Sequence, residues 1–417
     1  MSPFARWPLT ARGTGAALLA VLCFVLAHQF GIPELSYLSV LLALGVAASI
    51  ATLYVVRRTE RVTRAFVPDV AAAGQDVLVR LRVEVRSPLP GAQGRWHDRL
   101  PDGMSGDAGG VFPQTSSGMR RDGRAVTLEY AATALRRGIL PVGPLSLVST
   151  DPFGFARRRH LVGAPVPLTV TPLIAKFGAI ADQPGEAGGS LRTTTDRLGQ
   201  GTDNLVPRHY LPGDSMRRIH WRASAHRDEL MVRQEEQETT PEAIVVLDRG
   251  VRRWAPEAAR TPGADPGFEV AVSACVSAAS RLVQEGYVVS VLDVDGTLLH
   301  DPIEGGDATG VELLAIGFAT VTARRDAPVE SLVAALAGAT TGPLVLVTGA
   351  IDEADAAALA AVPHHSSLPV LMSVSATRPA LVRAAETGWR VASIPPGVDL
   401  SVAWSSVVDR GGSRVGA

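Results

Sequence analysis

Residues 207–238 read PRHYLPGDSMRRIHWRASAHRDELMVRQEEQE and separate a part of the chain with short β patterns from a part in which strand and helix patterns alternate. Arginine and acidic residues occur in this stretch in equal number, with Tyr210, Ile219 and Trp221 between them. A nucleic-acid-binding patch would carry a net positive excess, so this composition argues against nucleic acid as a partner. It predicts instead a network of arginine–carboxylate pairs around an aromatic anchor.

A longer residue pattern runs through the same stretch. Pro212 and Gly213 predict a turn, after which Asp214 caps a short helix. The pattern R-x-Y-x-P-G-D-x-x-R-x-I-x-W-x-x-x-A is matched by Arg208, Tyr210, Pro212, Gly213, Asp214, Arg218, Ile219, Trp221 and Ala225. It resembles the signature of the family called domain of unknown function 58, although His226 stands where that family usually has arginine. Residues 136–144 and 151–155 also resemble segments of this family, so the resemblance covers both soluble parts of the chain.

The resemblance implies partners and a role. It implies a von Willebrand factor A-like domain and association with a MoxR-type AAA+ ATPase, often together with a membrane protein that bears a transglutaminase-like domain. A role in assembling or maturing other proteins, including envelope complexes, follows from the same resemblance. The signature is expected to act either as a structural clasp between domains or as a docking surface. Its balanced charges and the apolar side chains of Ile219 and Trp221 favour the clasp.

The totals for the whole chain exclude several classes of protein. A length of 417 residues permits two or three domains, and a net charge of −1 implies no bulk electrostatic partner. The two cysteines, Cys23 and Cys275, lie far apart, which argues against a disulfide framework and a cysteine-based metal site.

Residues 1–60 predict a transmembrane helical hairpin. The spans 13–30 and 35–56 carry almost no charge, and each is close to the ~20 residues that cross a bilayer. Arginines precede the first span and follow the second, while the connector has none, so both termini and the soluble body are expected in the cytoplasm. The alternatives are a cleaved signal peptide over the first span and a helical hairpin buried in a soluble protein.

Residues 61–175 predict a small β-sandwich. The segment 77–85 alternates apolar and polar residues with the period of a half-buried strand, and 125–130, 145–148 and 166–170 are further short strands. Glycine and proline stand between these segments, as in sandwich domains. Residues 176–240 are predicted to form a linker, rich in glycine and threonine over 177–200, followed by the signature.

Residues 241–417 predict a doubly wound parallel sheet. Apolar strands are expected at 243–248, 287–293, 343–348, 369–373 and 390–394, separated by helical patterns such as the apolar stripe of 268–285. Alternating strands and helices of this kind build open α/β sheets, which bind ligands beyond the carboxyl ends of their strands.

Asp248 ends the first of these strands, where a working von Willebrand A-like metal site would have the sequence D-x-S-x-S. Gly250 and Arg252 replace the two serines, and arginines flank the place of the cation. Too few hard oxygen ligands remain for Mg²⁺, so Asp248 is read as a degenerate metal-site position that pairs with a neighbouring arginine. No metal and no cofactor is expected.

A rival function rests on residues 292–298, LDVDGTL, which read like the D-x-D-G-T motif of haloacid-dehalogenase-type phosphatases. Asp293 would be the nucleophile and Asp295 the general acid/base, with Thr348 binding phosphate and Asp352 and Asp355 holding Mg²⁺. No lysine follows Lys176 to balance an aspartyl phosphate, and a strand and a helix precede the motif. The competing reading is a β-hairpin, because Asp-Gly is a strong two-residue turn signal.

Other polar residues carry no recognisable catalytic arrangement. The spacings of His209, His220 and His226 place no pair on one helical face, and Ser224 has no recognisable arrangement of a base and an orienting group. The sequence therefore predicts a membrane-anchored, non-catalytic scaffold or adaptor protein. The alternative is the Mg²⁺-dependent phosphatase that uses Asp293 and Asp295.

Overall fold

The computed structural model describes residues 7–54, 59–86, 93–114, 124–180, 205–210, 216, 219–227, 229–235, 241–324, 327–336 and 341–409. The chain divides into two compact units, each with a hydrophobic core of its own. One unit comprises Met1–Leu173, Thr261–Ala264 and Ile316–Val321, and the other comprises Ile174–Arg260, Asp265–Ala315 and Thr322–Ala417.

The first unit begins with the predicted helical hairpin. Helix α1 covers Ala11–Phe30 and helix α2 covers Pro33–Tyr54, close to the predicted spans. Thr10 caps α1, and Gly31 ends it in the left-handed conformation with φ of 66°, which glycine adopts without strain. Both helices are long and apolar enough to cross a membrane, and most of their large apolar side chains are exposed.

Strands make up the rest of the first unit. They are β1 (Thr59–Val67), β2 (Val70–Ala72), β3 (Asp76–Arg86), β4 (Gly94–Asp98), β5 (Met104–Gly106), β6 (Gly109–Phe112), β7 (Arg124–Ala134), β8 (Gly138–Val142), β9 (Leu145–Thr150), β10 (Arg157–Val162) and β11 (Val166–Thr171). They form sheets of order β1-β3-β7-β5, β10-β9-β4-β6 and β2-β11-β8. All three sheets contribute to one core, which is the packing that a β-sandwich requires.

A fully buried ion pair crosses this core. Two guanidinium nitrogens of Arg64, on β1, donate to the Asp98 carboxylate, on β4, at 3.1 and 2.7 Å. The Tyr130 hydroxyl donates to the same carboxylate at 2.9 Å, and Arg64 also donates to the Ala164 carbonyl. Every side chain of the group is buried, so each charge depends on its partners inside the domain.

Strands and helices alternate through most of the second part of the chain. The elements are β12 (Leu205–His209), α3 (Trp221–Arg227), β13 (Met231–Glu235), β14 (Glu242–Leu247), α4 (Pro266–Gln284), β15 (Val288–Asp293), β16 (Leu298–Ile303), α5 (Ala308–Phe318), α6 (Glu330–Leu336), β17 (Thr341–Thr348), α7 (Glu353–Ala358), β18 (Ser366–Ser373), α8 (Arg378–Glu386), β19 (Arg390–Ser393) and α9 (Leu400–Val408).

The larger sheet of this part has the order β16-β15-β14-β17-β18-β19. All neighbouring strands are parallel except β16, which is antiparallel to β15 at one edge. Each predicted strand of residues 241–417 is found, and the predicted helical stripe is α4. The first strand of the sheet in chain order, β14, lies between β15 and β17, so the carboxyl ends of these three strands are neighbours.

The predicted linker is held in place at its start. Phe177 is buried and stacks on Trp404 of α9, with the ring centroids 4.6 Å apart. The backbone N–H of Ala175 donates to the Ser277 hydroxyl of α4. Glycine and threonine content alone suggested a loop from residue 177, but an aromatic side chain with a partner overrides that signal. Residues 181–200 lie outside the described part of the chain.

Candidate functional site

The carboxyl ends of β14, β15 and β17 bring charged side chains together. Asp248 directly follows β14, Asp293 ends β15 and Thr348 ends β17. The backbone N–H of Asp248 donates to the Val347 carbonyl at 2.9 Å, which extends the parallel pairing past the end of β14. This edge is where open α/β sheets bind their ligands.

The buried carboxylate of Asp248 accepts hydrogen bonds at both oxygens. Its Oδ1 accepts the backbone N–H of Gly250 at 2.9 Å. Its Oδ2 accepts the Thr348 hydroxyl at 2.8 Å and Nε of Arg253, also at 2.8 Å. The expectation that Asp248 is a turn residue paired with a neighbouring arginine is therefore confirmed, with Arg253 as the partner.

Arg253 binds two carboxylates with one guanidinium. Besides Asp248, it forms a two-point pair with Asp355, in which Nη1 and Nη2 donate at 2.7 and 2.9 Å. Nη1 also donates to the Ala350 carbonyl. Such planar two-point pairs are among the strongest side-chain hydrogen bonds in proteins. The guanidinium thus occupies the space between the first strand's aspartate and the helix that follows β17.

Asp355 is held in position by the start of α7. Asp352 caps this helix and accepts the backbone N–H of Asp355 at 2.9 Å, while Asp355 accepts the backbone N–H of Asp352 at 3.1 Å. This reciprocal capping box orients the Asp355 carboxylate before it meets Arg253. The Trp254 indole covers the other side, donating to the Asp248 carbonyl at 3.0 Å.

A second arginine lies between β14 and β15. The buried Arg249 side chain donates from Nε to the Thr322 carbonyl at 3.1 Å, and the same nitrogen is 3.7 Å from the Asp293 carboxylate. Asp293 also accepts the backbone N–H of Val294 at 2.8 Å. Each arginine therefore faces a carboxylate at the end of a different strand.

Burial and pairing move the pKa values of this cluster in opposite directions. Burial is the largest cause that raises the pKa of Asp248, and it likewise raises the pKa of Asp293. Hydrogen bonding to Arg253 lowers the pKa of Asp355, and the same bond raises the pKa of Arg253. The Arg253–Asp355 pair thus favours the charged form of both residues, whereas burial disfavours the charged form of Asp248.

This arrangement bears on the metal-site reading. The carboxylates of Asp248 and Asp355 both contact the Arg253 guanidinium, and the Thr348 hydroxyl donates to Asp248, so an arginine stands between carboxylates of the kind that bind a hard cation. Within the described ranges, no group of three or more histidine, cysteine, aspartate or glutamate side chains is arranged to hold a metal ion.

The phosphatase alternative gains no support from the geometry. Residues 293–297 form a turn in which the Asp293 N–H donates to the Thr297 carbonyl, and Gly296 has φ of 82°. This turn joins β15 to the antiparallel β16, as the hairpin reading predicted. The Asp295 carboxylate accepts the backbone N–H of Thr297 within the turn, and Thr348 and Asp355 are bound to Asp248 and Arg253.

The signature segment contains a small structure of its own. Strands β12 and β13 pair antiparallel, with His209 opposite Met231. The backbone N–H of Tyr210 donates to the Leu230 carbonyl, and on the other side of the same segment Ile219 pairs with Val232. The N–H of His220 donates to the Met231 carbonyl, and α3 begins at the next residue, Trp221.

Burial differs sharply between residues that lie close together in this segment. Ile219 is 4% exposed, as expected, whereas Trp221 is 68% exposed and Leu230 45% exposed. The expected burial of Trp221 is wrong, because Trp221 is the first residue of α3 and its side chain faces solvent. Met216 and Ala225 are exposed as well. The signature therefore exposes the apolar side chains of Trp221 and Leu230, here called the Trp221 surface, with the half-buried Tyr210 bonded through its backbone to Leu230.

The other signature residues and the polar candidates have separate positions. Arg208 lies in β12, and Gly213, Asp214 and Arg218 lie outside the described residues, as does half of the predicted arginine–acid network. The Nδ1 of His209 is 2.8 Å from the Glu229 carboxylate. The Ser224 hydroxyl accepts the Met231 N–H and donates to the His220 carbonyl, so it ties α3 to β13.

Sequence reasoning missed the residue that fills the cluster. The sequence predicted only that a neighbouring arginine pairs with Asp248, and it did not single out Arg253, which makes the contact. The short 3₁₀ turn Val251–Arg253 brings this residue back over the strand end. A charged residue one helical turn past a buried strand-end aspartate is the only signal in the sequence that could have found it.

The comparisons with known proteins agree with the signature. Residues 207–335 match the family described as protein of unknown function DUF58, beginning at the first residue of the signature stretch and ending in α6. No curated protein matches the chain. Over these residues the chain is similar to the family of proteins of unknown function DUF58.

Proposed function

We propose that this protein is a membrane-anchored, non-catalytic scaffold or adaptor that binds another protein through the Trp221 surface. The observation that carries the proposal is the exposure of Trp221, at 68%, inside the family signature. Tryptophan and tyrosine are enriched among the residues that dominate binding energy at protein interfaces. An exposed tryptophan beside an exposed leucine favours docking over the clasp that the sequence suggested.

Two features support the absence of catalysis in this proposal. The strand-end cluster, the position where an α/β sheet would bind substrate or cation, has its carboxylates engaged by Arg249 and Arg253. The Asp248 carboxylate accepts three donors, which fits a structural role for this residue.

The sheet supports a von Willebrand factor A-like domain. Its order, with the first strand in the interior, the antiparallel β16 at one edge and an aspartate at the carboxyl end of β14, is what such a domain requires. Gly250 and Arg252 stand at the two positions where a metal-binding relative would have serine, and Arg253 supplies the positive charge instead.

Anchoring is proposed through α1 and α2, with the termini and the soluble body in the cytoplasm. The length, hydropathy and exposed apolar side chains of the two helices support membrane spanning, and the arginines outside the two spans support the cytoplasmic orientation. The partner proposed from the family resemblance is a MoxR-type AAA+ ATPase, and a membrane protein with a transglutaminase-like domain is a further candidate. Assembly or maturation of envelope proteins is the role that fits these partners.

The test uses full-length protein in detergent and the purified MoxR-type ATPase encoded in the same genome. We expect Trp221→Ala to weaken binding by about 2 kcal/mol, or roughly 30-fold, while its free energy of unfolding stays within about 0.5 kcal/mol of the parent. The matched control is Leu313→Ala, which removes an exposed apolar side chain from α5. Unchanged binding, or a large loss of stability in Trp221→Ala, would refute docking at this surface.

A further inference from the structure

The tip of the β9–β10 hairpin presents two phenylalanines. Between these strands the chain turns at residues 151–156, where the buried Asp151 carboxylate accepts the backbone N–H groups of Phe153 at 2.9 Å and Ala156 at 2.6 Å. Gly154 has φ of 75°, which closes the turn. Phe153 is held outward, 66% exposed, with its ring stacked on Phe155 at 6.3 Å.

This tip lies directly against α1. The backbone N–H of Thr10 donates to the Phe155 carbonyl at 2.9 Å, and the Thr10 hydroxyl donates to the Gly154 carbonyl. At Gly13 the helix and the tip approach so closely that a Cβ atom would collide with the Phe155 carbonyl oxygen. Glycine at this position therefore permits the contact.

The tip also reaches along α2. A Cβ atom at Gly45 would lie 3.7 Å from Cε2 of Phe155, so the ring packs beside this glycine. Gly45 precedes the last residue of α2, Tyr54, by nine residues, which places it roughly 14 Å along the helix from its end. The Phe155 ring therefore contacts the apolar part of the hairpin and not only its terminus.

Further bonds fix the same end of the helical hairpin to β10. The Arg158 guanidinium donates to the Leu53 carbonyl at 2.8 Å and lies over the Tyr54 ring. The backbone N–H of Arg157 donates to the Pro8 carbonyl at 2.7 Å. The beginning of α1 and the end of α2 are thus both bonded to residues 154–158, so the depth of the tip follows the depth of the helices.

We propose that the β9–β10 tip is a membrane-contact surface and that Phe153 enters the lipid bilayer beside the helical hairpin. The proposal rests on the proposed anchoring, because a tip bonded to α1 and packed along α2 shares their surroundings. Aromatic side chains are favoured where the bilayer meets water. Trp7, 54% exposed and with its indole 3.4 Å from the Thr14 hydroxyl, lies at the same end of α1 and extends this aromatic surface.

The occupant of this surface is lipid and not another protein. Phe153 continues the exposed apolar surface of two helices whose large side chains point outward, and the tip is bonded to them at both ends. The β domain is then held against the bilayer by its own aromatic tip as well as by the chain, and it is fixed in orientation to the membrane plane.

The test is site-directed spin labelling of the full-length protein in vesicles of phosphatidylethanolamine and phosphatidylglycerol. In a background carrying Cys23→Ala and Cys275→Ala, a nitroxide is placed at Phe153→Cys or at the matched control Leu161→Cys. Leu161 is also 66% exposed but lies at the far end of the same β-hairpin. We expect the label at residue 153 to collide more with oxygen than with a water-soluble nickel chelate, and the label at 161 to show the reverse.

A third label, at Leu41→Cys on the exposed face of α2, separates the two proposals. If residue 41 reports hydrocarbon and residue 153 reports water, the tip proposal is overturned and the anchoring stands. If residue 41 also reports water, both fall. Because a nitroxide replaces the aromatic ring, Phe153→Trp and Leu161→Trp serve as a second measurement. Brominated lipids should quench the added fluorescence at 153 several-fold more than at 161, and equal quenching would overturn the tip proposal.

Discussion

Two buried aspartates, Asp98 in the β domain and Asp248 in the α/β domain, each have their negative charge balanced by an arginine, but in different surroundings. Asp98 has its arginine and tyrosine partners inside one core, with every side chain buried. Asp248 stands at a strand end, and its partner Arg253 also binds the partly exposed Asp355. The Arg64–Asp98 pair lies inside a domain core. The Arg253–Asp248 pair lies beyond the carboxyl end of a strand, where open α/β sheets bind their ligands.

The comparison predicts its largest effect at Asp98. In Asp98→Ala, the Arg64 guanidinium stays buried without its carboxylate, so we expect the free energy of unfolding to fall by roughly 3–5 kcal/mol. Denaturant unfolding of the full-length protein in detergent measures the change. Ser146→Ala, a buried polar truncation on β9 outside this ion pair, is the matched control. An equal loss in the two variants would contradict the role given to the pair.

A smaller effect is expected at Arg253. In Arg253→Ala, Asp248 keeps the Thr348 hydroxyl and the Gly250 N–H, so we expect a loss of about 2 kcal/mol, below that at Asp98. The same unfolding measurement ranks the two variants. A loss at Arg253 that exceeds the loss at Asp98 would invert the comparison.

The same variant tests whether the guanidinium stands in a cation position. Without Arg253, the oxygens of Asp248, Thr348 and Asp355 surround an open space with ligands that Mg²⁺ and Ca²⁺ prefer. We expect either ion to raise the melting temperature of Arg253→Ala and to leave the parent unchanged. Arg253→Lys, which keeps a positive charge, is the control, and an identical response of all three proteins would show that the position is purely structural.

The smallest effect concerns pH and Asp355. Arg253 lowers the pKa of Asp355 in the folded state, so the pair's contribution is fully present above the ordinary value of 3.8 and is lost as the pH falls through the lower folded value. In Asp355→Asn this contribution is absent. We expect the difference in melting temperature between parent and variant to be largest at neutral pH and to shrink below pH 3.8. A difference in melting temperature that grows on acidification would contradict a stabilising role for the ionised Arg253–Asp355 pair.

Local patterns predicted much of the fold. The alternation in 77–85 is β3, the uncharged runs are α1 and α2, and the Asp-Gly turn joins β15 to β16. These features depend on residues close together in the chain, so their periodicity and turn chemistry are readable in one sequence. The same alternation predicted the parallel strands of the larger sheet but gave no strand order.

The candidate site was predictable only in part. Asp248 was identified because a strand end is visible in the sequence, but the choice of Arg253 depends on how a short 3₁₀ turn folds back. Trp221 was expected to be buried because its side chain is large and apolar. It is exposed, and Ile219, two residues earlier, is the buried residue instead. Such choices depend on tertiary packing, which overrides residue-level preference.

The guanidinium beside Asp248 has a consequence for regulation. An ion at a protein site exchanges with the cell, so its occupancy follows ion concentration and yields to chelators. Arg253 is covalently part of the chain and keeps its charge at every physiological pH, so the strand-end loop has its counter-charge from the moment it folds. A cell cannot loosen this loop by withdrawing divalent ions.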